Sequence, residues 1–219
     1  MNNKLQHIDD SYRIELIRKA IHFCSLSIPI GYLYVDKSFA LMIFIPLMVA
    51  FTGVDIARHY YQPIQSWFYK SFGWLLREHE GDKKRKRLNG ASYVLVSATI
   101  CVLLFPKIIA VTGLAILIVS DLTAALVGKR FGKHRFFGKT LEGSIGFFVS
   151  GLLVIAVAPK VEQLASEYLV GALGVAVGTV VEALSIEIDD NLSIPLTVGL
   201  AMWTMYHCFL PALNIYARG

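Results

Sequence analysis

The sequence predicts an all-α fold: a polytopic transmembrane helical bundle of about seven spans, with a cytoplasmic N-terminus and an interfacial or re-entrant aromatic helix. Three observations carry this. The 219-residue chain is 55% hydrophobic and only 17% charged, whereas soluble domains hold about a quarter charged residues and just under half apolar ones. Its apolar residues fall in long runs separated by compact charged clusters, as successive membrane crossings require. Its cations are sorted between alternate loops. The shortage of charge excludes disorder and coiled coil, and an ordinary content of 17 Gly and 7 Pro excludes collagen. Residues 1–219 read as a single integral membrane domain.

Taken in order, an amphipathic start from about Ser11 leads into a first apolar segment, residues 20–35, which is short and interrupted by Pro29 and Gly31. It lacks a small-residue cleavage pattern, and residues 1–19 are too long and too mixed in charge for the leading part of a signal peptide. A second run covers 38–54. A polar and aromatic stretch, 55–87, separates it from runs at 88–105 and 108–127. The basic glycine-rich cytoplasmic loop 128–140 opens the fifth span, 141–158, and the spans 168–184 and 194–210 complete the set. With the N-terminus inside, the inner segments hold 17 of the 21 Lys and Arg: four in 1–20, eight in 55–88 and five in 128–140. Lys37, Lys107, Lys160 and Arg218 are left outside. That asymmetry sets the orientation.

Within the polar stretch, residues 60–76 (YYQPIQSWFYKSFGWLL) carry three Tyr, two Trp and two Phe. Such rings favour the headgroup zone, so an interfacial helix is expected there. The run Lys83-Lys84-Arg85-Lys86-Arg87 reads as a topology anchor for anionic headgroups. Cys24, Cys101 and Cys208 show no CxxC spacing and no even count, and each lies in an apolar run. They read as buried packing residues rather than a disulfide or zinc framework. His207 reads as packed, and the histidines have no metal-site spacing.

Ionisable side chains in spanning helices are costly, about 2.5 to 3.5 kcal/mol for Asp at a helix centre, so they ask for a reason. Asp55 ends the second span, Asp121 lies in the inner part of the fourth, Glu142 opens the fifth, and Glu182 lies near the end of the sixth, followed by Glu187, Asp189 and Asp190. All fall on the cytoplasmic side of a topology drawn from Lys and Arg alone. Gly171, Gly174, Gly178 and Glu182 follow at helical spacing, as do Asp121, Ala125 and Gly128, and Glu142, Gly146 and Ser150. Small residues on those faces allow close helix contact, so the acids point into the bundle. Ion pairing within the bundle is the plainer account of any one of them.

The loop from Gly128 to Thr140 offers Gly128, Gly132 and Gly138 for backbone approach to an anion, with Lys129, Arg130, Lys133, His134, Arg135 and Lys139 for charge. Thr140 is placed to cap the next helix and leave its amides for a phosphate. Gly138-Lys139-Thr140 is not a P-loop, because the glycine needed five residues earlier is Lys133 and the preceding element is a membrane helix. Clustered acids beside such a loop are what phosphoryl or nucleotidyl transfer needs: Mg²⁺ or another divalent cation held by carboxylates and phosphates, cations for developing charge, and a carboxylate to take the acceptor's proton. A site at the bilayer edge makes the acceptor a membrane lipid. Nucleic acid is not expected, for want of a stacking platform.

The stretch from Ser120-Asp121 through Gly128-Lys129, Gly132, His134 and Gly138-Lys139 to Glu142-Gly143-Ser144 resembles the signature of the dolichol kinase, phytol kinase and CTP-dependent diacylglycerol kinase family. Arg18-Lys19 with His22, Asp55 with Arg58, Arg77 with Glu80, residues 89–93, Glu182, and Asp189-Asp190-Asn191 with Pro195 fit the same pattern. The resemblance covers most of the chain. It implies a lipid kinase of the cell membrane that uses CTP, in some members ATP, and a divalent metal. The expected catalytic residues are Asp121, Glu142, Glu182 and Asp190, with Asp121, Glu142 and Asp190 also on the metal. The loop glycines, Lys129, Arg130, Lys133, His134, Lys139 and Thr140, together with Arg18, Lys19, Arg77 and Asn191, are expected to hold the nucleotide. Two other readings stay open: cytidylyl transfer to phosphatidate, whose C-terminal signature is not found here, and an ion-coupled transporter.

Overall fold

The computed structural model describes residues 14, 17–76, 87–184 and 188–217, and 78% of these described residues are helical. Helices α1 (residues 17–24) and α2 (Ser27–Leu33) form one interrupted rod. The break falls at residues 25–26 because Pro29 has no N–H to give the Ser25 carbonyl, which accepts from the Ile28 N–H at 2.9 Å. Helix α3 (Lys37–Ala57) follows, then α4 (Gln62–Phe72), which ends in a short 3₁₀ turn (Gly73–Leu75). The remaining helices are α5 (Gly90–Leu104), α6 (Lys107–Phe131), α7 (Leu141–Val157), α8 (Ala165–Leu184) and α9 (Asp190–Phe209).

Three of these, α3, α6 and α8, are long and apolar enough to cross a membrane, and α5 and α7 are shorter apolar helices. Helix α3 is very apolar yet mostly on the outside, with Met42, Val49 and Ile56 each half exposed or more. A surface of that kind fits hydrocarbon, not water. Helix α6 is the hub. Ile109, Ile116, Leu117 and Ile118 are wholly buried, and the helix packs against α2, α5, α7 and α9. Helix α8 is held between α7 and α9. Its expected face is real: Gly171, Gly174, Gly178 and Glu182 are all buried. A Cβ on Gly171, Gly174 or Gly178 would lie 2.7 Å from Ile155, Met202 or Val198 respectively, so the glycines set how near α7 and α9 come.

Several expectations need correction. The fourth helix runs on to Phe131, so residues 128–131 of the expected loop are its last turn, where Lys129 and Arg130 suit the negative end of the dipole. The rest of that loop is a hairpin, β1 (Arg135–Phe136) against β2 (Lys139–Thr140), paired Arg135 with Thr140 and Phe136 with Lys139. Among the described residues the fold is therefore helical with one small β-element. Its turn places Phe137 at φ 50°, a left-handed conformation that costs a non-glycine residue about 1–2 kcal/mol. The sixth helix starts at Ala165 rather than 168, and the seventh at Asp190 rather than 194. Cys101 is buried, but Cys24 and Cys208 are exposed on the apolar exterior. His207 is also exposed, with its ring against Trp203 at 4.7 Å.

Asp55 proves to be an architectural group. It pairs with Arg58, both wholly buried, and accepts the Asn89 N–H at 2.6 Å. The Arg58 guanidinium sits 4.8 Å over the Phe68 ring. One ion pair thus joins the end of α3, the start of α5 and the buried face of α4, the aromatic helix expected at 60–76. Trp67, Phe72 and the following Trp74 are exposed, with the Phe72 ring 5.5 Å from that of Phe68.

Candidate active site

Because α6, α7, α8 and α9 alternate in direction, the end of α6, the start of α7, the end of α8 and the start of α9 meet at one end of the bundle. Three of the helix starts near this end are capped by side chains: Asn89 accepts from Ser92, Thr140 from Gly143 and Asp189 from Asn191. Thr140 thus takes the capping role expected of it, at 3.2 Å. The hairpin is fixed over this end by two backbone bonds, Gly138 N–H to the Ala183 carbonyl at 3.1 Å and Leu141 N–H to the His134 carbonyl at 2.9 Å.

That docking brings Lys139 to the centre. Its Nζ lies 2.8 Å from Asp190 Oδ2 on α9 and 3.0 Å from Glu182 Oε1 on α8. Burial by itself would lower the Lys139 ammonium, but Asp190 and then Glu182 outweigh it by charge and hydrogen bonding. The group is held above its ordinary value. Glu182 is buried, and its other oxygen accepts from the Ser144 hydroxyl at 3.3 Å. Asp190 also feels the charge of Asp121 and of Asp189.

Asp121 lies on α6 and is met from the N-terminal side of the chain. Lys19 Nζ is 3.4 Å and His22 Nε2 3.8 Å from its Oδ2. A line of ionisable groups results, from Lys19 and His22 through the neighbouring acids Asp121 and Asp190 to Lys139 and Glu182, drawn from α1, α6, α8, α9 and the hairpin. Glu142 stands beside this line with a partner of its own. His134 gives it a ring contact of 2.8 Å from Nδ1 and its backbone N–H at 3.3 Å.

The other expected residues are distributed as follows. Lys129, Arg130, Lys133 and His134 are all exposed around the hairpin. Arg130 stands over the Phe131 ring at 5.4 Å. Arg18 donates to the Leu75 carbonyl at 3.5 Å. Asn191 is buried, with its amide donating to Asp189 at 2.8 Å. Gly128 and Gly132 serve packing: a Cβ on either would lie 2.8 Å from the Thr140 side chain. Arg77, Glu80, Glu187 and residues 83–86 of the basic run lie outside the described residues.

Among the described residues no group of three or more His, Cys, Asp or Glu side chains could by itself hold a metal. The expected set of Asp121, Glu142 and Asp190 is therefore not a preformed cage, since Glu142 is engaged by His134. Asp121 and Asp190, whose charges act on each other, remain suited to an ion that arrives with phosphates, because Mg²⁺ takes only one or two carboxylates in such sites. Three partners went unassigned in the sequence: His22, Ser144 and Asp189. All three stood in the stretches that carry the family resemblance, but without a role of their own.

No protein-family profile matches the chain, and no solved structure matches it. Similar proteins include the uncharacterized protein RP860 of Rickettsia prowazekii, 30% identical over 195 residues, which are 88% of this chain and 95% of that one. CTP-dependent diacylglycerol kinase 1 of Schizosaccharomyces pombe is 28% identical over 221 aligned positions, 93% of this chain and 99% of that one. The uncharacterized protein MJ1137 of Methanocaldococcus jannaschii is 28% identical over 193, 84% and 91% of the two chains. The chain belongs to the family of the Rickettsia protein RP860 and is a distant relative of a CTP-dependent diacylglycerol kinase.

Proposed function

We propose that this protein is a membrane lipid kinase that moves the γ-phosphoryl group of CTP to the hydroxyl of a lipid alcohol, of the diacylglycerol, phytol or polyprenol class. The observation that carries this is Lys139, presented by a basic hairpin between Glu182 and Asp190, beside Asp121, at the end of an apolar bundle. The distant kinase relative supports CTP as donor and a lipid as acceptor. The charge sorting supports seven spans with the N-terminus inside and the site at the cytoplasmic face of the cell membrane.

In this reading Lys139 receives the triphosphate, with Lys129, Arg130, Lys133 and His134 around the hairpin and Arg18 and Lys19 across the site. Asp121 and Asp190 would hold Mg²⁺ or another divalent cation, which supplies neutralising charge on the phosphates. Glu182 is a positioning residue, since it is buried and acts through Lys139. Asp189 orients Asn191 toward the same end. As the lipid oxygen bonds to the γ-phosphorus, the bond from that phosphorus to the β–γ bridging oxygen breaks and CDP leaves. The hydroxyl proton passes to a carboxylate of the Asp121, Glu142 and Asp190 group.

The test is purified protein with labelled CTP or ATP and a panel of diacylglycerol, phytol, polyprenols and phosphatidate. CDP with a phosphorylated lipid is expected. Pyrophosphate with a CDP-lipid would replace the reading by cytidylyl transfer, and neither product would leave the ion-coupled transporter.

A further inference from the structure

A groove of about 870 Å³ runs along the outside of the seam between α6 and α7, within the roughly 300–1,000 Å³ of small-molecule sites. One wall is a stripe of α6 at four-residue spacing, Val119, Thr123, Val127 and Phe131, and the α7 wall runs from Val157 to Glu142. That face of α7, expected to point into the bundle, instead opens onto this groove. The polar atoms in the walls are turned away. Thr123 donates its hydroxyl to the Val119 carbonyl at 2.8 Å, and Ser150 donates to the Gly146 carbonyl at 2.7 Å. Gly146 lets Val127 close the floor, since a Cβ there would meet the valine at 3.1 Å. The lining is thus carbon along its length and ends on a single acid, Glu142, held by His134.

We infer that this groove binds one hydrocarbon chain of the lipid alcohol and delivers its hydroxyl to Glu142; the inference rests on the kinase reading above. The fifteen residue steps from Glu142 to Val157 rise about 22 Å, more than half of a hydrocarbon core roughly 30 Å thick. The occupant is therefore a long chain that reaches through its leaflet. A phospholipid would place a permanent anion against Glu142, whereas a neutral hydroxyl can donate to it. The Arg130 guanidinium over Phe131 stands by the same mouth, where the phosphorylated product would acquire its charge. Glu142 becomes the carboxylate that takes the hydroxyl proton.

Two measurements test this. The first uses Val149→Trp and Leu153→Trp, at groove positions that are half exposed or more. Each should raise KM for a long-chain diacylglycerol about tenfold and cut the long-chain to short-chain ratio of kcat/KM by a similar factor. Leu104→Trp, exposed on α5 away from the groove, should keep the wild-type ratio. Unchanged ratios in the groove variants of an active enzyme would overturn the groove and leave the kinase intact.

The second labels wild-type protein in phosphatidylcholine vesicles with a diacylglycerol bearing a photoreactive acyl chain. Crosslinks should concentrate in residues 119–131 and 142–157 and be displaced by unlabelled diacylglycerol but not by added phosphatidylcholine. Equal displacement by both, or equal labelling of the exposed face of α3, would overturn the groove. Selective displacement in a protein that transfers no phosphate would uphold the groove and sink the kinase reading.

Discussion

Lys139 satisfies two acids at once, and one of them, Glu182, is only 2% exposed. Removing the lysine leaves a buried carboxylate without its cation. Breaking a fully buried pair costs about 3–5 kcal/mol, and partial exposure of Lys139 and Asp190 lowers that to about 2–3 kcal/mol. Lys139→Ala should therefore lower the melting temperature in detergent by several degrees, and adding Glu182→Gln should restore part of it. Melting of the double variant below Lys139→Ala would show that Glu182 is not the group left uncompensated. Asp121 is a different case, because its side chain is 17% exposed and faces Lys19 and His22 across a wider gap. The isosteric Asp121→Asn should leave the melting temperature within a few degrees while phosphoryl transfer falls about a hundredfold or more, the scale of losing a charged active-site group. Full transfer by that variant, followed by CDP release, would remove Asp121 from the site.

Among the elements, the α7–α8 connection shows an acid with a wholly structural use. Glu167, 0% exposed, accepts the N–H groups of Val161, Glu162 and Leu164 at 2.7, 2.9 and 3.1 Å and the Tyr206 hydroxyl at 3.1 Å. Lys160 donates to the Ile155 and Ala158 carbonyls and closes the end of α7. Its burial, partly offset by Glu167, holds the Lys160 ammonium below the ordinary lysine value. Glu167→Gln should cost about 2–3 kcal/mol, since hydrogen bonds to a charged group are weakened together, and Tyr206→Phe about 1 kcal/mol. Thermal melts of the two variants check this; a Glu167→Gln protein that melts like wild type would deny the clamp. Glu167 was not legible in the sequence, because its four partners are set by a turn and by a residue 39 positions away. Long apolar runs made α3 and α6 readable, and Pro29 marked the break between α1 and α2. The hairpin was not readable, because strands of two residues carry no alternation that a period-two pattern could show. Gly128 and Gly132 read as anion-cradling glycines and turned out to hold a seam. A missing side chain looks the same in sequence whether the neighbour is a phosphate or Thr140. The site's acids were legible as intrusions into apolar runs, but the joining of Lys19 to Asp121 spans 102 residues and has no local signal.

Across the whole molecule the two ends use cations differently. At the end away from the site, Lys37 donates to the Leu103 carbonyl at 2.8 Å, Lys107 stands 5.5 Å over the Tyr32 ring, and Lys160 closes α7. These three single lysines are each tied to a helix end or a ring. At the other end the cations gather around Asp121, Glu142, Glu182 and Asp190 instead. The sorting that the positive-inside rule reads thus also separates single lysines tied to helix ends or rings from cations gathered with acids, and it makes the orientation testable. Single cysteines at Phe137, on the exposed hairpin turn, and at Glu162, in the α7–α8 connection, mark the two ends. The exposed Cys24 and Cys208 are first replaced by Ser, and the buried Cys101 is kept. In sealed vesicles, a membrane-impermeant maleimide should modify Phe137→Cys only from the cytoplasmic side and Glu162→Cys only from the opposite side. Modification of both from one side would mean that α7 does not cross, despite its apolar length. Modification in the reverse sense would invert the topology and carry the acid cluster, and with it any CTP-dependent chemistry, to the side of the membrane where nucleotide is scarce.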